Sequence, residues 1–197
     1  MVRVSEFIAY QARALLYCLG DLPIMTIQSH NFWEFSLAVY SHKAVERACL
    51  TLQNSHGLDV NLLLFCYWSG CVHGKLNHEV FDSARAFSAQ WREMVVAPLR
   101  QIRTEMKNET QELFTDFQAQ YENLRERIKF DELAAEKLQQ EKLQNLLNPA
   151  IAHQDATIAS AAINHNLALL LSAEKIVQDA RLDALLSIIE EKALQEV

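Results

Sequence analysis

The sequence has few residues that interrupt helices, since only four glycines and three prolines occur in 197 residues. This scarcity argues against a turn-rich sheet protein. Alanine, leucine, glutamate, glutamine and lysine are abundant instead, and these are strong helix formers. Half of the residues are hydrophobic, which is enough for a sizeable core. The composition therefore predicts an all-α protein.

Cysteine and long apolar runs are also scarce. The chain has four cysteines, and Cys49 and Cys66 lie among large apolar residues, as buried thiols do in a reducing compartment. No uninterrupted apolar run reaches the length that crosses a bilayer, because Asn164, His165 and Asn166 interrupt the longest one. We expect a cytoplasmic protein that does not insert into membranes.

The net charge of −7 is unevenly distributed. Residues 25–98 carry five basic and six acidic side chains, whereas residues 149–197 carry three and seven. Because an acidic chain repels phosphate groups at long range, the sequence disfavours general binding of nucleic acid.

The helices of the first half have local start and stop signals. Asn31, Asp59 and Asn77 are suited to cap the amino ends of helices, and Gly57 is suited to end one. The segment that follows Asp59 has one polar residue in nine, so it predicts the most buried helix of the fold. Pro98 interrupts a long apolar stripe and predicts two helices or one bent helix there.

These patterns suggest a compact helical bundle followed by a long helical hairpin. We expect an amino-terminal extension at 1–24, for which Met25 is an alternative start, a bundle core at 25–108, and a coiled-coil-like tail at 109–197. Residues 156–194 are expected to form a single returning helix. The tail carries a thin apolar seam at Leu113, Phe117, Leu124, Ile128, Ala135 and Leu138.

Candidate metal ligands lie close together in the sequence. Two cysteines and two histidines fall within thirteen positions, namely Cys66, Cys71, His73 and His78. Their spacing does not match a known zinc motif, and Cys66 is expected to point into the core. The sequence therefore predicts no metal site and no cofactor, with these four residues as the candidates for a zinc ion.

Two further sets of residues are candidates for binding. Four basic residues recur on roughly one helical face, which could bind an anion or an acidic partner, or could simply be solvated: Arg92, Arg100, Arg103 and Lys107. Polar residues on otherwise apolar helices suggest instead a pocket between helices, lined by Asp59, Asn61, Trp91 and Arg92.

Readable enzyme signatures are missing from the sequence, including a nucleophile elbow, a phosphate-binding loop and a dinucleotide fingerprint. The sequence consequently favours a non-enzymatic protein that associates with itself or with another protein through its carboxy-terminal helices. A ligand-binding or enzymatic bundle with the pocket just described is the first alternative. An electrostatic regulator that uses the basic face is the second.

Several blocks in a fixed order resemble a family of small bacterial proteins of unknown function. The blocks read FWEFSLAVY, ACLTLQ, DVNLLLFCYW and WREMVVAPLR. The resemblance implies a helical, cytoplasmic, bacterial protein and supplies no activity, substrate or site. Members of that family begin near the first block, which implies that residues 1–24 are an extension.

Overall fold

The computed structural model describes residues 31–108, 111–147 and 155–196. Within these ranges the backbone forms α-helices and no strand, so the predicted all-α class is confirmed. A π-helical turn at Arg92–Val96 joins α4 to α5, and a 3₁₀ segment at Gln111–Phe117 precedes α6. The helices are α1 Phe32–Ser41, α2 Lys43–His56, α3 Val60–Val72, α4 His78–Trp91, α5 Ala97–Asn108, α6 Gln118–Gln144, α7 Ala156–Ala173 and α8 Ala180–Ala193.

The predicted capping residues are confirmed. The side-chain oxygens of Asn31, Asp59 and Asn77 each accept a hydrogen bond from a backbone amide of the following first turn, at 2.8–2.9 Å. Gly57 ends α2 with φ of 69°, in the left-handed region that glycine adopts without steric cost. Local side-chain chemistry therefore sets the boundaries of the first helices.

The central helix of the fold is α3. All residues from Leu62 to Val72 are buried, so this helix has no solvent-facing side. At its centre Phe32 stacks on Trp68, with ring centroids 5.1 Å apart. Gly70 lets α7 approach closely, because a Cβ atom at this position would lie 2.8 Å from the backbone nitrogen of Ile163.

The bend expected near Pro98 is a π-helical turn that precedes the proline. In this turn the amide of Ala97 donates to the carbonyl of Arg92, five residues earlier. Proline has no amide hydrogen, and its ring crowds the carbonyl four residues before it, so a widened turn accommodates it within a continuous helical path. The turn connects α4 to α5, and Arg92 at its start and Val96 at its end line the same cavity as the arginines of α5.

The carboxy-terminal run differs from the single helix expected over residues 156–194. It consists of two helices, α7 and α8, with a break between them. Lys175 adopts φ of 55° at the break, the amide of Ile176 bonds back to Leu171, and Asp179 caps α8 through its bond to the amide of Leu182. The prediction of one helix was wrong at this point. The break contains no glycine or proline, so the sequence carries no residue that usually marks the end of a helix.

Both carboxy-terminal helices pack on the bundle. α7 lies against α3 along its length, and α8 contacts α2. One cluster of buried residues includes Phe65 of α3, Leu170 of α7 and Ile189 of α8. The division of the chain near residue 108 stays a prediction, and the proposed extension with its alternative start at Met25 lies outside the described residues.

One helix in the described ranges, α7, is apolar and long enough to cross a membrane by length and composition. A core helix meets the same criterion, and 39% of this helix is buried inside the fold. Its buried Asn166 accepts a hydrogen bond from the amide of Leu76 at 2.8 Å and donates to carbonyl groups around α3. These contacts place α7 in the protein core.

Candidate functional site

A cavity of about 360 Å³ opens between α1, α2, the start of α3, α5 and α6, close to the π-helical turn. This volume lies in the range of small-molecule sites. Apolar side chains make part of the wall, among them Trp33, Leu37, Leu64 and Leu133. Charged side chains make another part, namely Asp59, Arg92, Arg100, Arg103, Lys129, Glu132 and Glu136.

Helical periodicity explains why these side chains converge. Positions three, four and seven apart lie on one face of a helix. On α6 this rule brings together Lys129, Glu132, Leu133, Glu136 and Gln140. On α1 it brings together Trp33, Ser36, Leu37 and Tyr40.

Two arginines of α5 bind two glutamates of α6 at the cavity wall. Arg100 donates from Nε to Glu132 at 2.8 Å and from Nη2 to Glu136 at 2.6 Å. Arg103 donates from Nε to the other oxygen of Glu132, Oε2, at 2.5 Å, and from Nη2 to Oε1, the oxygen that Arg100 binds, at 3.3 Å. Charge-assisted bonds of this kind fix the geometry of both helices. Arg100 thus bridges the two carboxylates.

Glu136 pairs with one arginine, whereas Glu132 pairs with two. The side chain of Glu136 is 25% exposed, and Arg100 binds its Oε1 atom. Burial raises the pKa of Glu136 to about 7, because it outweighs the lowering effect of Arg100, and repulsion from Glu132 and Asp59 adds to the increase. A carboxyl group with a pKa near neutrality can take up or release a proton at physiological pH.

A chain of side-chain amides connects the cap of α3 to α6. Gln139 donates from Nε2 to Asp59 at 3.0 Å, and its oxygen accepts from Asn61 at 2.9 Å. The oxygen of Asn61 accepts from Nε2 of Gln140 at 2.7 Å. Because the Asp59 carboxylate can only accept, it fixes the orientation of Gln139 and then of each following amide. The chain ends with the oxygen of Gln140.

Two buried oxygens on the cavity wall have no hydrogen-bond partner among the described residues. They are Oε1 of Gln140 and Oγ of Ser36, and their residues are 3% and 4% exposed. An unsatisfied buried polar group costs about 1–3 kcal/mol of stability. These two oxygens therefore lie at the cavity wall without a hydrogen bond that stabilises the fold.

Comparison with known families assigns the part of the chain that contains this cavity to one protein family. Residues 31–143 match a family described as a protein of unknown function, DUF2390. The chain belongs to this family. No curated protein and no solved structure matches the chain.

The whole cavity lies within the DUF2390 region. The lining residues run from Trp33 to Gln140, and the matched region runs from residue 31 to residue 143. Helices α7 and α8 follow that region and supply no lining residue. The site is thus formed entirely by the part of the chain that defines the family.

The two predicted binding sets meet at this one cavity of the DUF2390 fold. Asp59, Asn61 and Arg92 line it, together with Arg100 and Arg103. The remaining two predicted residues do not line it. Trp91 instead donates from Nε1 to the carbonyl of Ala135 at 3.0 Å, and Lys107 is exposed near the end of α5.

Most polar residues of the site that sequence reasoning missed are on α6, and Ser36 of α1 is a further one. Those on α6 are Glu132, Glu136, Gln139 and Gln140, which supply carboxylates and amides of the site. Their spacing of three, four and seven residues was a signal that they share a face. The high charge of the segment suggested solvated side chains instead.

The four candidate zinc ligands differ in their surroundings. Cys66 is fully buried, the thiol of Cys71 faces the carbonyl of Ala193 at 3.7 Å, and the ring of His73 contacts Trp68. His78 is exposed at the start of α4. In the described part of the chain no group of three or more histidine, cysteine or acidic residues is arranged to hold a metal ion.

Proposed function

We propose that this protein binds a small molecule in the cavity between α1, α2, α3, α5 and α6. The observation that carries the proposal is the composition of the cavity wall, where an apolar surface adjoins paired charges and unsatisfied buried oxygens. Natural ligand sites combine these features, with the apolar surface supplying affinity and a few polar groups fixing orientation.

The free-energy cost of burying polar groups supports the same interpretation. Burying charged pairs and unsatisfied oxygens costs free energy that a purely structural core avoids by using hydrophobic residues. Arg103 and Glu132 are nevertheless both buried at this wall. A binding function accounts for polar groups that the fold does not need. A catalytic role is a further step, for which Glu136 is the candidate acid or base.

The test is thermal stability in the presence of a library of small polar and amphipathic metabolites. A ligand that binds only the folded state raises Tm with concentration. Leu133→Trp fills the cavity and should abolish the shift. Leu138→Trp is the matched control, since Leu138 is 52% exposed on the same helix and lies outside the lining. A library that shifts the wild type no more than Leu133→Trp would refute the proposal.

Self-association or binding of a protein partner is a second proposed function, supported by a different observation. Part of the predicted apolar seam is exposed at Leu113, Phe117 and Leu124, by 74%, 59% and 49%. Exposed apolar side chains that lie near one another mark interaction surfaces. Ile128 and Ala135 of the same seam are partly or fully buried within the chain, and Leu138 is exposed farther along α6, so the larger exposed part of the seam lies just before and at the start of α6.

Sedimentation velocity tests this second function. Leu124→Asp should dissociate an oligomer, because it places a charge in the contact. Val177→Asp is the control, since Val177 is the most exposed apolar residue of the described chain, at 85%, and lies far along the sequence from α6. A wild type that remains monomeric at high concentration and binds no protein partner would contradict the proposal.

The electrostatic function of the basic face has less support. Arg100 and Arg103 are already paired with glutamates, which reduces the positive charge available to an acidic partner. A cytoplasmic location remains part of the proposal and is supported by three free, buried thiols at Cys49, Cys66 and Cys71.

A further inference from the structure

The cavity wall has an excess of hydrogen-bond acceptors. The amide chain that starts at Asp59 leaves Oε1 of Gln140 as its free end. Ser36 adds a hydroxyl oxygen from α1. Glu136 lies one turn before Gln140 on α6, and since Arg100 binds its Oε1, the Oε2 atom can accept a further hydrogen bond. A ligand that satisfies these oxygens must donate hydrogen bonds.

Glu136 indicates the sign of such a donor. Three carboxylates, on Asp59, Glu132 and Glu136, face three guanidinium groups, on Arg92, Arg100 and Arg103, so these charges balance at the wall. Arg92 also donates to the carbonyl of Gly57, and Lys129 pairs with Glu126. Because a carboxylate binds a cationic donor more strongly than a neutral one, the remaining oxygen of Glu136 favours a positively charged donor.

We propose that the cavity recognises a small molecule with a protonated primary amine and an apolar body, and that Glu136, Gln140 and Ser36 bind its ammonium group. This inference rests on the binding function proposed above. A primary ammonium has three donors and no acceptor, which matches three acceptor oxygens. The apolar body would contact the aliphatic and aromatic side chains of α1 and α3.

Three matched probes test the inference by calorimetric titration: 2-phenylethylamine, 2-phenylethanol and phenylacetate. They share a ring and differ in carrying a cation, a neutral hydroxyl or an anion. At pH 8, above the pKa of about 7 of Glu136, the amine should bind at least about tenfold more tightly than the alcohol, and phenylacetate more weakly still.

Matched variants locate the ammonium group. Glu136→Gln should weaken binding of the amine about tenfold or more and leave the alcohol nearly unchanged. Gln140→Leu removes the acceptor without altering charge and should also weaken the amine selectively. Glu141→Gln is the control, since Glu141 is an exposed residue of the same helix that pairs with Lys137 outside the cavity.

The outcomes separate this inference from the function on which it rests. Equal or tighter binding of the alcohol or phenylacetate in the cavity would reject the ammonium site and leave a binding site of another specificity. The same rejection follows if Glu136→Gln and Gln140→Leu, both folded, bind the amine as the wild type does. No saturable binding of the amine up to about 10 mM, or equal binding of the amine by Leu133→Trp, would also reject the ammonium site. The binding function itself fails separately, if no member of the metabolite library shifts the wild type more than Leu133→Trp.

Discussion

Arg103 and Glu132 form a buried ion pair, with Nε 2.5 Å from Oε2 and both side chains 9% exposed. Arg100 donates to the other oxygen of the same carboxylate. Two guanidinium groups of α5 therefore share one carboxylate of α6 as their ion-pair partner. Both sides of this contact line the cavity, so the pair links the packing of the two helices to the shape of the site.

Removing Glu132 should destabilise the protein strongly. Glu132→Leu leaves Arg103 buried without its partner, and breaking a buried pair in this way costs about 3–5 kcal/mol. Urea denaturation measures the loss. Glu141→Leu should change stability by less than about 1 kcal/mol, because its pair with Lys137 is half exposed. The double variant Arg103→Met, Glu132→Leu should recover part of the loss, and a double variant worse than the single one would contradict this account.

The beginnings and ends of the first helices were predictable because their signals are local. Asn31, Asp59 and Asn77 satisfy amides that lie two or three residues away. The break before α8 was not predicted, because Lys175 adopts a left-handed conformation there without the glycine that usually marks it. A lysine in this conformation depends on the packing of the helices around it.

The candidate site was predictable only in part, and chain separation explains the limit. Asp59 and Asn61 were predicted to line a pocket because they are polar residues at the start of an apolar helix. Their partners, Gln139 and Gln140, are 80 and 79 residues away. A sequence pattern shows which residues share a helical face, but it does not show which faces meet. The glutamates of α6 therefore resembled solvated charges until the fold placed them opposite Arg100 and Arg103.

Gly70→Ala should destabilise the contact between α3 and α7. An added Cβ would lie 2.6 Å from Cγ1 and 2.8 Å from the backbone nitrogen of Ile163, so helix α7 itself would have to shift. Such overpacking costs about 1–3 kcal/mol, which thermal or urea denaturation can measure. Gly57→Asn is the comparison, because Gly57 has open space around it and asparagine tolerates positive φ.

Shortening the side chain of Ile163 provides a further check on the prediction for Gly70→Ala. Ile163→Ala removes the closest carbon but leaves the backbone nitrogen in place. The double variant Gly70→Ala, Ile163→Ala should therefore remain less stable than Ile163→Ala alone. A double variant as stable as that single variant would show that the side chain alone limits the approach.

Asn166→Leu should destabilise the core although it replaces a polar residue by an apolar one. Asn166 is fully buried and bonds to the amide of Leu76 and to the carbonyls of Cys66 and Gly74. Leucine leaves these groups unsatisfied, at about 1–3 kcal/mol for each group that water does not reach. Asn164→Leu, at an exposed position two residues earlier, should cost less than about 0.5 kcal/mol. Urea denaturation of both variants distinguishes the two positions.

The free energy of unfolding of the wild type should decrease as the pH rises from about 4.5 to about 7, because Glu136 loses its proton at a higher pH in the folded state than in the unfolded state. Burial raises the pKa of this group from 4.5 to about 7, and its charged neighbours are Arg100, Glu132 and Asp59. Between these values the folded state binds more protons than the unfolded state, so stability is highest below the unfolded pKa and decreases as pH rises.

Glu136→Gln isolates this contribution, because glutamine does not ionise. The free energy of unfolding of the wild type relative to Glu136→Gln should therefore decrease from pH 4.5 to pH 7 and then level off, as measured by urea denaturation across this range. Glu141→Gln, at the exposed pair with Lys137, should leave the slope of the wild type intact. A carboxyl signal of Glu136 that titrates near pH 4.5 in a carbon-13 NMR experiment would show that the cavity solvates this side chain as bulk water does.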